Sequence, residues 1–300
     1  MSYSDTLSTA AAFARYEALR HRMPVADFPE HSKPCSGLLE LADQYDAFLL
    51  DSFGVLNIGE RAIPGAAECL AELRRQGKRL IVLTNAASYT RTAAVERYRR
   101  LGFDFAQEEV VSSREVAAHR LEMVSPNARW GAIAASEDRF RDIDADVRHW
   151  DGHTDVDGFI LLSSAEIDGA TVSALETALR KKPRPVVVAN PDLVAPRETG
   201  LSKEPGFFAH ALADDLDIGP HFFGKPFANA FDDAFALLPG IPKSRMAMVG
   251  DTLHTDILGG RAAGVDTVLV EGFGLFAGEQ VDPYIRQSNI IPDHRCYSIA

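Results

Sequence analysis

Short, uniformly apolar runs alternate along this chain with longer segments whose apolar residues recur every three or four positions. The first kind reads as buried strand, the second as amphipathic helix. Ala47–Leu50 is the first such run. Pro64-Gly65 then opens a predicted helix reaching Gln76, with Ala66, Leu70 and Leu73 on one face. Residues 80–83 form the next run and end at Thr84-Asn85; a helix follows from about 90 to 101 and stops at Gly102. Another helix is predicted over 113–123. The middle of the chain repeats the rhythm, with strands at 131–134 and 158–162, a helix at 170–179 and a strand at 185–189. Residues 190–205, rich in Pro, Gly and charge, read as a long loop of the kind that often carries function. The first pattern then resumes: a short strand at 222–223 before Gly224-Lys225-Pro226, a helix at 228–238, a strand at 246–249 ending at Gly250-Asp251, a helix from about 255 to 263 and a strand at 267–270. Ahead of all this, residues 1–44 read as a helical extension. Tyr16, Leu19 and Met23 have helical spacing, and a second short helix is expected from Ser36, ahead of Leu38, Leu39 and Leu41.

Strands alternating with helices imply an α/β fold, a doubly wound parallel sheet with helices on both faces. The middle block, about 126–212, looks separate. The expected organisation is therefore one domain built from 45–125 and 213–300, interrupted by an α/β insert over 126–212 and preceded by the extension at 1–44.

Composition narrows the possible functions. A net charge of -12 argues against non-specific nucleic-acid binding, which needs basic surface. It does not exclude small phosphorylated substrates, because a local cation can attract them. No apolar run is long enough to span a bilayer, and residues 1–14 lack a signal-peptide core. Cys35, Cys69 and Cys296 lie far apart without metal-ligand spacing, which reads as a reducing, cytoplasmic setting. A homodimer is compatible with the pattern and not required by it.

Four polar clusters fall at predicted strand ends: Asp51, Thr84-Asn85, Lys225 and Asp251. Such ends share one edge of a parallel sheet, so residues far apart in sequence converge there. Phosphoryl transfer needs a nucleophile, a divalent cation and donors for the phosphoryl oxygens. Asp51 suits the first role. Asp51 with Asp251 offers hard oxygen ligands for Mg2+. Thr84 supplies a hydroxyl, Asn85 a backbone N–H and Lys225 a positive charge. Each piece alone is weak, since an Asp after a strand is commonly a cap and Thr-Asn commonly a turn. Their order and strand contexts together carry the argument.

Asp51-Ser52-Phe53-Gly54-Val55-Leu56, Pro64-Gly65-Ala66, Leu83-Thr84-Asn85, Gly224-Lys225-Pro226 and the run from Gly250 to Ile257 resemble the motifs of the haloacid dehalogenase (HAD) superfamily. The likeness is greatest to its capped sugar- and nucleotide-phosphatase branch, and Asn190-Pro191-Asp192 resembles that branch's cap signature. It covers roughly residues 38–278. The resemblance implies a Rossmann-like core with an inserted α/β cap and Mg2+-dependent hydrolysis of a small phosphorylated metabolite through an aspartyl-phosphate. It implies Asp51 as nucleophile, Thr84 as phosphoryl holder and Lys225 as charge clamp. Mg2+ would be held by Asp51, the Phe53 backbone carbonyl and Asp251, with Asp256 ordering a metal water or Lys225. Ser52, Asn85, Asn190 and Asp192 are the further substrate-binding candidates.

One position departs from the pattern. Active members usually carry a second Asp two residues after the nucleophile, as the acid that protonates the leaving group. Here that residue is Phe53, as in a subset of the branch. Three readings follow: good leaving groups are preferred, another residue such as His254 or Glu60 supplies the proton, or the site binds a phosphorylated ligand without turnover. Two other groups read more plainly. The run His149, Asp151, His153, Asp155 and Asp157 contains Gly152 and reads as a solvated loop rather than a metal site. Arg197, Lys203 and His210 lie near the cap loop and could meet a substrate's non-reacting end, but read better as exposed loop charges. Gly272-Phe273-Gly274 is expected to end the last strand.

Overall fold

A computed structural model describes residues 7–300. Residues 1–6 of the predicted extension lie outside the described residues. The main sheet has seven parallel strands in the order Lys33–Pro34, His294–Cys296, Asp266–Val270, Met246–Gly250, Ala47–Leu50, Arg79–Thr84 and Val110–Ser112. The central strands are buried on both faces, which is why they read as unbroken apolar runs. Helices cover both sides. From Ala47–Leu50 the chain crosses to Arg79–Thr84 on one side, while the later Met246–Gly250 pairs on the other. The carboxyl end of that strand is therefore a switch point of the kind where open α/β sheets bind ligands.

A second sheet has five parallel strands in the order His221–Phe222, Val186–Val188, Gly158–Leu161, Arg129–Ile133 and Asp146–His149. Its Trp130, Ala132, Ile160 and Val187 share one buried cluster with Leu49, Ile81 and Val111 of the main sheet and with Phe231 of the Ala228–Ala236 helix. The two sheets thus have a common apolar foundation.

The expected loop at 190–205 is structured. Val194–Arg197 and Gly200–Lys203 pair as an antiparallel ribbon, and a helix, Pro205–Leu216, starts within the stretch. Proline at the first helical turn lacks only an N–H that would have been unpaired anyway. The predicted helix over 113–123 is two pieces, Ser113–Ala118 and Leu121–Val124. The helix expected from 255 starts two residues earlier as a π-helical turn, Leu253–Ile257, before Leu258–Ala263. Residues 38–41 form a 3₁₀ turn instead of an α-helix; Ser36 donates its N–H and its hydroxyl to Glu40 at 2.8 and 2.7 Å. Asp266–Val270 is not the last strand, because His294–Cys296 returns to pair with it.

In the extension, Ser8 Oγ caps the helix Thr9–Ala18 by accepting from Ala11 N–H at 3.2 Å. Phe13, Tyr16 and Leu19 bury against Leu193, Leu253, Ile257 and Phe276, behind the carboxyl edge of the main sheet.

Candidate active site

Asp51 follows the Ala47–Leu50 strand and stays in register, its N–H donating to Val249 O at 2.8 Å. The chain then turns sharply. Gly54 has φ +81°, and a Cβ there would lie 2.8 Å from Asp251 side-chain atoms, so the turn requires glycine on both counts. Gly274 likewise packs where a Cβ would meet Asp251 Oδ2 at 2.0 Å. That close approach lets the next residue, Leu275, donate its N–H to Asp251 Oδ2 at 2.7 Å.

Lys225 is the electrostatic centre. It is 1% exposed, and its ammonium lies 2.7 Å from both Asp51 Oδ1 and Asp256 Oδ1. Burial alone would lower its pKa, but Asp256, Asp51 and Asp192 outweigh burial and hold it above the ordinary lysine value. Asp256 Oδ2 also accepts from Thr252 N–H at 3.0 Å, and Asp251 Oδ1 accepts from Thr252 Oγ1 at 3.0 Å. Burial and the neighbouring carboxylates raise Asp251 well above the normal range and Asp256 to about 6. Asp51, Asp251 and Asp256 each present an oxygen within 4.8 Å of the others. Hard oxygen donors with excess negative charge suit a small divalent cation.

Asp51 and Asp251 face a narrow cavity of about 60 Å³, lined also by Phe53, Thr84, Asn190 and Asp192, while Lys225 and Asp256 lie behind its wall. Thr84 is 3% exposed. Lys225 touches the cavity's Asp51 from behind. The Asn85 side chain is fully engaged as a bracket: Nδ2 donates to Asp192 Oδ1 at 2.8 Å and to Lys225 O at 2.9 Å, while Oδ1 accepts from Lys225 N–H at 2.8 Å. Asn190 Oδ1 accepts from Asp192 N–H at 3.0 Å, and its Nδ2 donates to Glu204 at 3.2 Å. Asp192 is held near Lys225 and Asp51, and burial raises its carboxyl well above the usual range. The Ser52 side chain points elsewhere: it is fully buried and donates to Asn57 Oδ1 at 2.9 Å, bracing the turn.

Neither sequence candidate for a replacement acid reaches the cavity. His254 is fully buried on the other side of its turn, stacked on Tyr16 at 4.9 Å and paired with Glu17 at 2.6 Å. Glu60 is exposed and bonded to Arg97 at 3.0 Å. Phe53 instead carries two cations. The Arg97 guanidinium lies 5.1 Å and that of Arg197 4.8 Å from its ring centroid. Of the two readings of Arg197, the structure departs from the exposed loop charge: it lines the cavity beside Glu204. His210 is buried against Phe222, and Lys203 lies over Phe207 at 5.1 Å. His149 closes a short strand and bonds Asp138 O at 2.8 Å. The cavity wall also includes Ser88 and Tyr89, which belong to no recognisable motif, and Thr255, which lies inside the run from Gly250 to Ile257 but carries no role in the sequence reading.

Comparison with known proteins agrees with this arrangement. A haloacid dehalogenase-like hydrolase model matches residues 48–144, and a second HAD-hydrolase-like model matches 222–294. The acid sugar phosphatase of Staphylococcus aureus is 29% identical over 229 residues, spanning 76% of this chain and 87% of its own. A possible sugar phosphatase of the HAD superfamily from Cytophaga hutchinsonii superposes with TM-score 0.79 at 26% identity, covering 89% of this chain and 98% of that one. A glycerol phosphate phosphatase from Mycobacterium tuberculosis, solved with magnesium, gives 0.65 at 26% identity over 81% of this chain and 70% of its own. With hydrolase models of this family matched over 48–144 and 222–294 and a relative aligned over 76% of the chain, the chain belongs to the haloacid dehalogenase-like hydrolases.

Proposed function

We propose that this protein is a Mg2+-dependent phosphatase that hydrolyses a small phosphorylated metabolite through an aspartyl-phosphate. Residues 45–125 and 213–300 serve as catalytic core and 126–212 as cap, except that His221–Phe222, expected in the core, pairs with Val186–Val188 and completes the cap's sheet. The observation that carries the reading is Asp51 held 2.7 Å from the buried Lys225 ammonium, in one cavity with Thr84 and Asp251. The paired ammonium fixes the position of this carboxylate, as a nucleophile requires. Asp51, the Phe53 carbonyl, Asp251 and Asp256 form the set that would hold Mg2+, which when bound offsets phosphoryl charge. Thr84 holds a phosphoryl oxygen by its hydroxyl, and Lys225 keeps the nucleophile's charge compatible with an anionic substrate. Asn85, Asn190 and Asp192 join the cap to the core above the reacting group.

Phe53 favours substrates whose leaving group departs without a proton, such as aryl or acyl phosphates. The same residue also supports a second reading, a phosphorylated-ligand binding protein without turnover. Steady-state assay with 4-nitrophenyl phosphate and Mg2+ decides between them. The phosphatase reading expects turnover that chelation removes and Asp51→Asn abolishes. Tight ligand binding with no Mg2+-dependent turnover establishes the other.

A further inference from the structure

Arg197 lines two cavities at once. One is the narrow space of about 60 Å³ that holds Asp51; the other is a wider groove of about 740 Å³. The first has room for a phosphoryl-sized group and little more. The second has the volume of a small-molecule site. Its walls include Ile58, Ile63, Leu201, Phe273 and Leu275, so an organic body fits there. Pro196 and Arg197 are the residues common to both linings, so a substrate with its phosphorus at Asp51 and its body in the groove would run past Arg197.

The guanidinium at this junction is aimed. Nε donates to Ser202 Oγ at 2.9 Å and Nη2 to Glu204 Oε1 at 2.9 Å. Glu204 is itself fixed by Ser202 at 2.7 Å and by Asn190. Its Cζ lies 4.8 Å from the Phe53 ring centroid, and the hydrogen bonds that fix the group among the described residues use Nε and Nη2, not Nη1. Arg197 is also the single basic residue among the described residues lining the narrow cavity. An arginine cannot donate its proton at physiological pH, but it stabilises developing negative charge electrostatically.

We infer that Arg197, seated on Phe53, takes the place of a proton donor by stabilising the leaving group as an anion, and that the substrates are phosphates with an apolar body whose leaving oxygen departs unprotonated. The inference rests on the phosphatase reading. In the step concerned, an Asp51 carboxylate oxygen attacks phosphorus and the bond from phosphorus to the leaving oxygen breaks. The electron pair stays on that oxygen, which departs as a carboxylate or aryl oxide beside Nη1. Arg197 keeps its proton. Water then attacks phosphorus, the bond to Asp51 breaks, and the water's second proton goes to the released phosphate.

The test is a leaving-group series, with kcat/KM measured for substituted phenyl phosphates, acetyl phosphate and benzoyl phosphate in Mg2+. For Arg197→Met the loss should grow as the leaving group worsens, from about threefold for 4-nitrophenyl phosphate to a hundredfold or more for phenyl phosphate. Ser202→Ala removes one aiming bond and keeps the charge; it should show the same trend at smaller amplitude, and serves if the methionine variant does not fold. Benzoyl phosphate should exceed acetyl phosphate in kcat/KM if the groove holds the apolar body. Plots parallel to wild type in the variants, or no loss, overturn the inference and leave the phosphatase reading intact. A wild type inactive on every substrate overturns both.

Discussion

Replacing Phe53 by Asp would install the acid that the motif usually carries, yet the structure predicts little gain in alkyl-phosphate turnover. The ring is 9% exposed, and removing it forfeits about 1.5–3 kcal/mol of burial. Two cation–π contacts, at 5.1 and 4.8 Å, are worth about 0.5–2 kcal/mol each. New pairing of the carboxylate with the guanidiniums offsets part of this, leaving a net loss of about 2–4 kcal/mol. That same pairing defeats the purpose. A cation within hydrogen-bonding range lowers a carboxyl pKa by about 1–3 from about 3.9, so almost none is protonated at neutral pH. General acid catalysis worth about 10²–10⁴-fold needs the proton to be present. Phe53→Asp should therefore change kcat/KM for glycerol phosphate by less than about tenfold, whereas Phe53→Asp combined with both Arg97→Met and Arg197→Met should exceed the single variant at least tenfold. Urea denaturation supplies the stability term and steady-state assay in Mg2+ the kinetic one. A hundredfold gain from Phe53→Asp alone would refute the argument that the two arginines set the electrostatics of this position.

Lys225→Met leaves Asp51 and Asp256 without their shared cation and should cost about 3–5 kcal/mol in urea denaturation, part of it restored by Mg2+; an unchanged midpoint would contradict the buried pairing. His210 is held neutral, its pKa lowered to about 3 by burial and then by Arg22 and Arg15 against the opposing Asp214. A base depressed on folding contributes stability above its unfolded pKa of about 6.5 and loses it as pH falls towards 3. Wild type should thus lose about 2 kcal/mol more than His210→Leu between pH 6.5 and 5, and equal losses would show that the ring is not buried neutral.

What was legible in the sequence follows from how locally each feature is determined. Ala47–Leu50, residues 80–83 and 246–249 are buried on both faces, so every position is apolar and the strand announces itself. The ribbon Val194–Arg197 with Gly200–Lys203 mixes buried, half-buried and exposed positions without alternation and contains Pro196, so its pattern resembles a loop. His254 sits beside motif residues, and adjacency alone left it a candidate. The π-helical turn points its ring into Phe13 and Tyr16 of the extension, a contact across more than 230 residues that no local pattern encodes. Arg197 was misjudged for the same reason. Its partner, Phe53, lies in the first motif, and only the folded chain brings them together.

Phe53 is then better understood as a platform than as a missing acid. Arg97 and Arg197 already pair with Glu60 and Glu204, and a carboxyl group at this position would add a second carboxylate and draw more of their charge away from the cavity. An aromatic ring attracts a guanidinium without neutralising it. The charge of Arg197 consequently remains available at the cavity wall, tempered by Glu204 and aimed by Ser202. Arg97, 4% exposed and bonded to Gly59 O and Glu60, fixes the ring behind it. The residue that breaks the motif therefore has a coherent setting of its own. One side chain gives up proton transfer, and the ribbon supplies a fixed positive charge where the proton would have been delivered. The exchange suits leaving groups that are stable as anions and disfavours alkoxides, so the selectivity follows from the first motif and the ribbon acting together.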